Sequence, residues 1–264
     1  MPPVALSLAA LALGFFQSGS GSDNGAPSYS AQSIVNAASN ASAFAPNTLV
    51  TIYGINLSEV TAQLSAADLE GGMLPTTIEG TGVSVIVNGL LANMIYVSPT
   101  EVELLIPPIF VAGPSSIQLV FDGLAGPSVP ITLDAAAPAL FQADPTTALA
   151  THADFSLINS SSPAQPGEVI VLWATGLGAL TSPPPVPNLI PQAAAPLLPG
   201  QGFQVLLNGS ALPPASIWYA GVAPGYAGLF QINVQLPANL VSNPQIQLAI
   251  ANQVSPAGIV LPTQ

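Results

Sequence analysis

Short apolar runs separated by turn residues recur along this chain from about residue 30 onward. The runs are rich in Val, Ile, Leu and aromatic residues, and Pro, Gly, Asn and Ser bound them. Such spacing is typical of antiparallel β-sandwiches. With 29 prolines, the chain has room for a helical turn only near residues 65–69. The predicted strands are 48–53, 83–87, 94–97, 102–106, 116–121, 129–133, 168–174, 203–207, 216–219, 230–235, 246–250 and 258–261.

The two halves of the chain are similar to each other. The segment PNTLVTIY at 46–53 aligns with PGEVIVLW at 166–173, and the Asn-Gly dipeptide at 88–89 recurs at 208–209 at the same offset. Asn-Gly favours a two-residue hairpin because both central residues need positive φ. The sequence therefore predicts a duplicated sandwich, with one copy in residues 31–137 and the other in 138–264.

Residues 1–30 combine an apolar run at 4–16 with a Gly/Ser-rich linker. One hypothesis is a secretory signal, although the run lacks a basic flank. The other is a strand donated to a neighbouring subunit, because apolar residues alternate with small ones. Its contacts would be Val4, Leu6, Leu8, Leu11, Leu13 and Phe15.

A proline-rich stretch at 181–200 lies inside the second copy. Its proline density predicts an extended loop rather than a central strand. Read functionally, such a loop is a surface for contacting another subunit, with Pro184 and Pro187 as candidate contacts.

The chain has no Lys or Arg, twelve acidic residues, one His and no Cys, with a net charge of −12. Nucleic acids and anionic membranes bind proteins through cationic side chains, so both are excluded as partners. Nucleotides are excluded too, because no phosphate-binding motif is present. The composition also predicts that no salt bridge forms, and that mutual repulsion raises the pKa values of the carboxyl groups.

No catalytic, cofactor or metal site is predicted. His152 and Asp154 could start a Ser/His/Asp relay, but they are better interpreted as a solvated hairpin tip. The carboxylates could bind Ca²⁺ or act as a glycosidase pair, but a solvated, mutually repelling face is favoured. These carboxylates are Asp68, Glu70, Glu79, Glu101 and Glu103.

The aromatic residues fall at corresponding places in the two copies, which favours core positions. They are Tyr53, Tyr96, Trp173, Trp218 and Tyr219. The alternative is a sugar-stacking platform on Trp218 and Tyr219. Four Asn-X-Ser sequons are candidate glycosylation sites, at Asn40, Asn56, Asn159 and Asn208.

A series of short motifs runs in a fixed order through both halves. They are IVNAAS at 34–39, YGINL at 53–57, YVSP at 96–99, AAAP at 135–138, PGE at 166–168, ATGLG at 174–178, YAG at 219–221, APG at 223–225 and LFQINVQLP at 229–237. Over residues 31–264 this series resembles the C-terminal module of secreted proteins from Solibacter-type Acidobacteria. The resemblance implies tandem immunoglobulin-like domains of the IPT/TIG kind, and places Asp154 at a turn.

The sequence thus predicts an all-β protein of two tandem immunoglobulin-like antiparallel sandwiches. We expect a secreted, non-enzymatic structural or adhesive protein at the cell surface. With so little charge to keep strand edges apart, the chain is expected to self-associate as the subunit of a surface fibre. The alternative is a carbohydrate-binding module with polysaccharide as the partner.

Overall fold

A computed structural model describes residues 25–178 and 189–264. Apart from β-strands, the regular elements in these ranges are 3₁₀ turns at Ala31–Ser33, Ala66–Asp68 and Pro214–Ser216. The second turn lies where the sequence predicts a helical turn. No helix in these ranges has the length and apolar character needed to cross a membrane.

The first half of the described chain is a sandwich of two antiparallel sheets. Its strands are β1 (Ile34–Asn36), β2 (Leu49–Tyr53), β3 (Ala62–Gln63), β4 (Val83–Val87), β5 (Leu90–Leu91), β6 (Asn93–Val97), β7 (Glu101–Leu105), β8 (Gly113–Phe121), β9 (Leu124–Ala125) and β10 (Val129–Leu133). One sheet has the order β1-β2-β7-β6-β3, and the other β10-β8-β4-β5 with β9 added beside β8. These orders match the A-B-E-D and G-F-C sheets of an immunoglobulin domain.

The second half repeats this arrangement. Its strands are β11 (Ala139–Leu140), β12 (Gln142–Asp144), β13 (Thr147–Ala148), β14 (Ala150–His152), β15 (Val169–Thr175), β16 (Ala195–Pro196), β17 (Gln204–Leu207), β18 (Ser210–Ala211), β19 (Ile217–Val222), β20 (Phe230–Gln235), β21 (Ile246–Ile250) and β22 (Gln253–Val254). One sheet has the order β11-β15-β20-β19-β16 with β14 also beside β15, and the other β18-β17-β21-β22, while β12 pairs with β13. The predicted fold class is confirmed.

The pairing registers show which residues of the two sandwiches correspond. Tyr53 pairs with Glu101 in the first sandwich as Trp173 pairs with Gln231 in the second. Likewise β1 pairs with β2 as β14 pairs with β15, so that Asn36 corresponds to His152. This correspondence allows equivalent surfaces of the two sandwiches to be compared.

Each sandwich has its own core because apolar residues alternate along its strands. In β4 the buried residues are Val83, Val85 and Val87, and the residues between them are half-buried. Separate clusters of buried apolar side chains fill the two sandwiches. The alternation seen in the sequence is therefore the alternation between core and surface.

A third apolar cluster, here called the junction cluster, lies between the sandwiches. Its buried members are Ala38, Leu49, Leu74, Leu105, Ala139, Phe141, Val171, Trp173, Ile190, Ala223 and Leu229. A buried hydroxyl reinforces it: Thr175 Oγ1 accepts a 2.9 Å hydrogen bond from the Leu49 N–H and donates one of 2.8 Å to the Gly228 carbonyl. Apolar packing and hydrogen bonds together join the two sandwiches.

Some elements differ from the prediction. In place of the predicted strand 258–261, Val260 forms isolated bridges to Thr147 and Gln245. Gly258 has a φ of +90°, and Pro262 has no N–H to donate, so a regular ladder ends here. The sequence also missed strands of two or three residues such as β1, β3 and β14, which are too short to show a period.

Candidate functional site

The surface of the sheet formed by β14, β15, β20 and β19 that faces away from the core is here called the outer face. On β15 it carries Val171 and Trp173, which belong to the junction cluster, and on β20 it carries polar side chains. Along β20 the apolar residues point into the core. Because successive strand residues face opposite sides, Gln231, Asn233 and Gln235 point outward. Gln231 Nε2 donates a 2.8 Å hydrogen bond to Asn233 Oδ1, and Gln235 is exposed. These three side chains form a row of amides, here called the amide row.

Trp218 lies on β19, the strand that pairs with the amide-bearing β20. It is the extra residue of a β-bulge between Ile217, which pairs with Val234, and Tyr219, which pairs with Asn233. Ile217 packs against the core, whereas the Trp218 side chain is 62% exposed. A bulge re-aims a side chain relative to a regular strand. The prediction that Trp218 is a core residue is therefore wrong.

The first sandwich has the same bulge at the equivalent place. There Ile95 is the extra residue, between Met94 and Tyr96. Ile95 is half-buried and packs against the junction cluster. The same position thus holds a half-buried aliphatic residue in the first copy and a largely exposed aromatic residue in the second.

Tyr219, the other residue of the predicted aromatic platform, is half-buried. Its hydroxyl donates a 2.8 Å hydrogen bond to the Val222 carbonyl and accepts one of 3.1 Å from the Ala195 N–H. Burial raises the pKa of this phenol. The Tyr219 hydroxyl therefore connects strands of its own sheet.

Phe155 is an exposed aromatic residue that the sequence analysis missed. It is 60% exposed, and its ring centroid lies 6.3 Å from that of Trp173 at an interplanar angle of 36°. Trp173 itself is 7% exposed, in agreement with the core prediction. Phe155 has a φ of +66°, a conformation that is strained for a bulky residue and that tends to occur at functional sites. The unusual backbone holds an aromatic ring at the surface.

His152 forms a hydrogen-bonded cluster next to Phe155. His152 Nδ1 lies 2.5 Å from Glu168 Oε1, and His152 Nε2 lies 3.1 Å from Ser162 Oγ and 3.2 Å from the Ser162 carbonyl. Glu168 Oε2 also accepts a 2.8 Å bond from the Gln165 N–H. The bond to Glu168 is the main cause that raises the pKa of His152. When His152 is protonated this contact is a salt bridge, so the prediction of no salt bridge is wrong.

Asp154 takes no part in a catalytic relay through His152. Asp154 Oδ1 accepts hydrogen bonds of 2.9 Å from the Ser156 N–H and 2.6 Å from the Ser156 hydroxyl, which lower the pKa of Asp154. The acidic partner of His152 is Glu168, and only the pairing of β14 with β15 brings them together. The sequence does mark Glu168 as a residue close to the sheet, because Glu168 is the first residue of the predicted strand 168–174.

A second polar group lies on the equivalent face of the first sandwich. Glu101 and Glu103 lie on the same face of β7, and Glu101 pairs across the sheet with Tyr53. Burial, followed by the charge of Glu101, raises the pKa of Glu103 to about 7. Burial also raises the pKa of Glu101, and burial and the two carboxylates raise the pKa of Tyr53 to about 12.

The aspartates behave differently from these glutamates. Hydrogen bonds from Ser and Thr groups lower the pKa values of Asp68 and Asp144, as they do for Asp154. For the three aspartates the expectation of raised pKa values is wrong, because these donors stabilise the charged form.

Over residues 25–178 and 189–264, no three His, Asp or Glu side chains come together as a metal site.

The predicted subunit contacts lie outside the described residues. This holds for Val4, Leu6, Leu8, Leu11, Leu13, Phe15, Pro184 and Pro187. Of the candidate glycosylation sites, Asn40 and Asn208 are exposed, while Asn56 and Asn159 are half-buried. Their glycosylation stays a prediction.

Neither a family model nor a curated protein matches this sequence, so the resemblance to the acidobacterial module stays a prediction.

Several solved structures are similar to this chain at low sequence identity. A surface glycan-binding protein from Prevotella bryantii is 10% identical with a TM-score of 0.27, over 90% of this chain and 42% of that one. One from Bacteroides ovatus, in complex with a mixed-linkage heptasaccharide, is 10% identical with a TM-score of 0.35, over 84% and 43%. An Escherichia coli adhesin is 12% identical with a TM-score of 0.26, over 90% and 66%. The chain thus spans less than half the length of these glycan-binding proteins, and similarity this distant does not indicate its ligand.

Proposed function

We propose that this chain is a non-enzymatic, extracellular adhesive module that binds uncharged polysaccharide through the outer face of its second sandwich. The observation that carries the proposal is the bulge at Trp218. The equivalent Ile95 is half-buried against the junction cluster, whereas Trp218 is 62% exposed on the strand that pairs with β20. An exposed tryptophan of this kind is typical of interaction hot spots.

The chemistry of the outer face suits a sugar. The C–H face of a sugar ring packs on an aromatic ring, and its hydroxyls both donate and accept hydrogen bonds. The amides of Gln231, Asn233 and Gln235 likewise offer donors and acceptors. An aromatic surface with a few polar groups that fix orientation is a common design of ligand sites.

The charge of the chain selects against acidic glycans. With twelve carboxylates and no Lys or Arg, the protein repels polyanions. In addition, β20 carries amides where the equivalent β7 carries Glu101 and Glu103. An uncharged polysaccharide is therefore the better partner for the second sandwich.

The test is affinity electrophoresis of the whole chain in gels containing cellulose ether, xylan, mannan, alginate or polygalacturonate. We expect retardation by at least one of the three neutral polymers and by neither acidic one. Trp218→Ala should weaken that binding at least tenfold, as expected for a hot-spot residue. The matched control is Ile109→Ala, which truncates a 53% exposed apolar residue of the first sandwich and should leave binding unchanged. Unaltered binding by Trp218→Ala, or no binding to any neutral polymer, would refute the proposal.

A further inference from the structure

Ser162, His152 and Glu168 form a hydrogen-bonded series of hydroxyl, imidazole and carboxylate, here called the serine relay. Ser162 Oγ lies 3.1 Å from His152 Nε2, and His152 Nδ1 lies 2.5 Å from Glu168 Oε1. His152 belongs to β14, Glu168 directly precedes β15, and Ser162 lies in a turn between these strands. The same order of groups activates a serine nucleophile on several unrelated folds.

Glu168 fixes the tautomer of His152. A carboxylate only accepts hydrogen bonds, so in neutral His152 the proton lies on Nδ1 and the lone pair on Nε2. The Ser162 hydroxyl then donates to Nε2, which is the arrangement in which a histidine takes a proton from a serine. Once Nε2 is protonated, the Ser162 carbonyl oxygen at 3.2 Å also accepts from it. The relay thus has a base that is oriented and whose protonated form is stabilised.

Neighbouring groups hold the two ends of the serine relay. Asn159 Oδ1 accepts a 2.9 Å hydrogen bond from the Ser162 N–H, which fixes the turn that carries the hydroxyl. The Gln165 N–H donates a 2.8 Å bond to Glu168 Oε2, the second oxygen of that carboxylate. Ser162 itself is exposed. A reagent in solution therefore reaches the hydroxyl while the groups behind it are held in place.

The surroundings of Ser162 favour the transfer of one acyl group over repeated turnover. Serine hydrolases stabilise the oxyanion of the tetrahedral intermediate with backbone N–H groups close to the nucleophile. The Ser162 N–H is already bonded to the Asn159 carbonyl and side chain, and Pro163 has no N–H. An ester with a good leaving group depends least on such stabilisation, so an activated ester is the suitable acyl donor.

We propose that Ser162 is a reactive serine that accepts one acyl group from an uncharged activated ester, with His152 as general base and Glu168 as a positioning residue. Ser162 Oγ forms a bond to the carbonyl carbon, and its proton passes to His152 Nε2. The bond from that carbon to the leaving group breaks, and the leaving group takes the proton from Nε2. The product is a serine ester of the protein, which is a modification rather than a catalytic cycle. The net charge of −12 repels anionic donors. This modification does not depend on binding at the outer face.

A first experiment treats the whole chain with p-nitrophenyl acetate at pH 8. We expect a burst of nitrophenolate and one acetyl group on Ser162, located by mass spectrometry of peptides. The chain has no Lys or Cys to compete for the reagent. Ser162→Ala should remove the label, and His152→Gln should slow labelling at least about a hundredfold, as expected for the loss of a general base. Ser160→Ala, at an exposed serine of the same turn, is the matched control and should label normally. No label, or a label on another residue, would overturn the proposal.

A second experiment measures the labelling rate against pH. Only neutral His152 accepts the proton, so the rate should rise with pH and level off above the pKa of His152. The charged groups that act on His152 are Glu168, before β15, and Asp154, in the hairpin after β14, and both raise that pKa. Glu168→Gln should therefore slow labelling and move the midpoint to lower pH, whereas a merely structural role of Glu168 would leave the midpoint in place. A wild-type rate that rises without levelling off would show that hydroxide, not His152, removes the proton, and the proposal would fail.

Discussion

At the scale of single residues, the environment separates carboxyl groups that look alike in the sequence. Glu103 faces outward from β7 but is largely covered, and its pKa is raised to about 7. Asp154 accepts two hydrogen bonds from Ser156, and its pKa is lowered. Removal from water penalises the charged form, whereas donated hydrogen bonds favour it.

Glu103 should make the protein less stable as the pH rises. Because its folded pKa exceeds the ordinary value of 4.5, its contribution is fully present below about pH 4.5 and is lost as the pH rises through about 7. Glu103→Gln should therefore increase the free energy of unfolding at pH 8, by no more than about 3 kcal/mol, and flatten its pH dependence. Urea denaturation at pH 5 and pH 8 measures both effects. Glu59→Gln is the exposed control, and an equal effect in the two variants would contradict the assignment.

At the scale of elements, glycines at positive φ define the ends of strands. Gly176 directly follows β15 with a φ of +75°, and an added Cβ would overlap the Ala137 carbonyl oxygen. Gly167, before the same strand, has a φ of +80° with open space around it. The two positions share a backbone conformation and differ in their surroundings.

This pair separates backbone strain from steric overlap. Gly167→Ala should lower the free energy of unfolding by about 1–2 kcal/mol, the usual cost of a left-handed conformation for a residue with a Cβ. Gly176→Ala should cost clearly more, because the backbone at Ala137 must also move. Thermal and urea denaturation of both variants measure the two losses in the free energy of unfolding. Equal losses would show that the backbone at Ala137 moves aside without an energetic penalty.

At the scale of the whole molecule, the junction cluster packs residues of both halves together. Ile95 of the first sandwich packs against it, whereas the equivalent Trp218 of the second sandwich is exposed. The hydroxyl of Thr175 connects the halves by its bonds to Leu49 and Gly228. The fibre hypothesis stays a prediction, since its candidate contacts lie outside the described residues.

Thr175→Val should weaken the junction with little change in shape. The substitution removes a buried hydroxyl that holds both the Leu49 N–H and the Gly228 carbonyl, and leaving such groups unpaired costs about 1–3 kcal/mol. The free energy of unfolding should fall by that amount in urea titrations. Thr132→Val, at an exposed strand position, is the matched control. A variant as stable as the wild type would mean that water replaces the lost bonds.

Most of the longer strands, the duplication and the Asn-Gly hairpins follow from the sequence alone. These features depend on local alternation and on the backbone preferences of single residues, which are visible along the chain. At Asn88-Gly89 and Asn208-Gly209 both residues do have positive φ.

The candidate site, in contrast, depends on contacts between distant segments. The exposure of Trp218 goes with a β-bulge, and a bulge does not show in an alternating pattern. The partnership of His152 with Glu168 depends on the pairing of β14 with β15, and β14 is too short to be recognised from its sequence. Local backbone and side-chain preferences therefore specified most elements, and packing between distant segments specified which side chains are exposed.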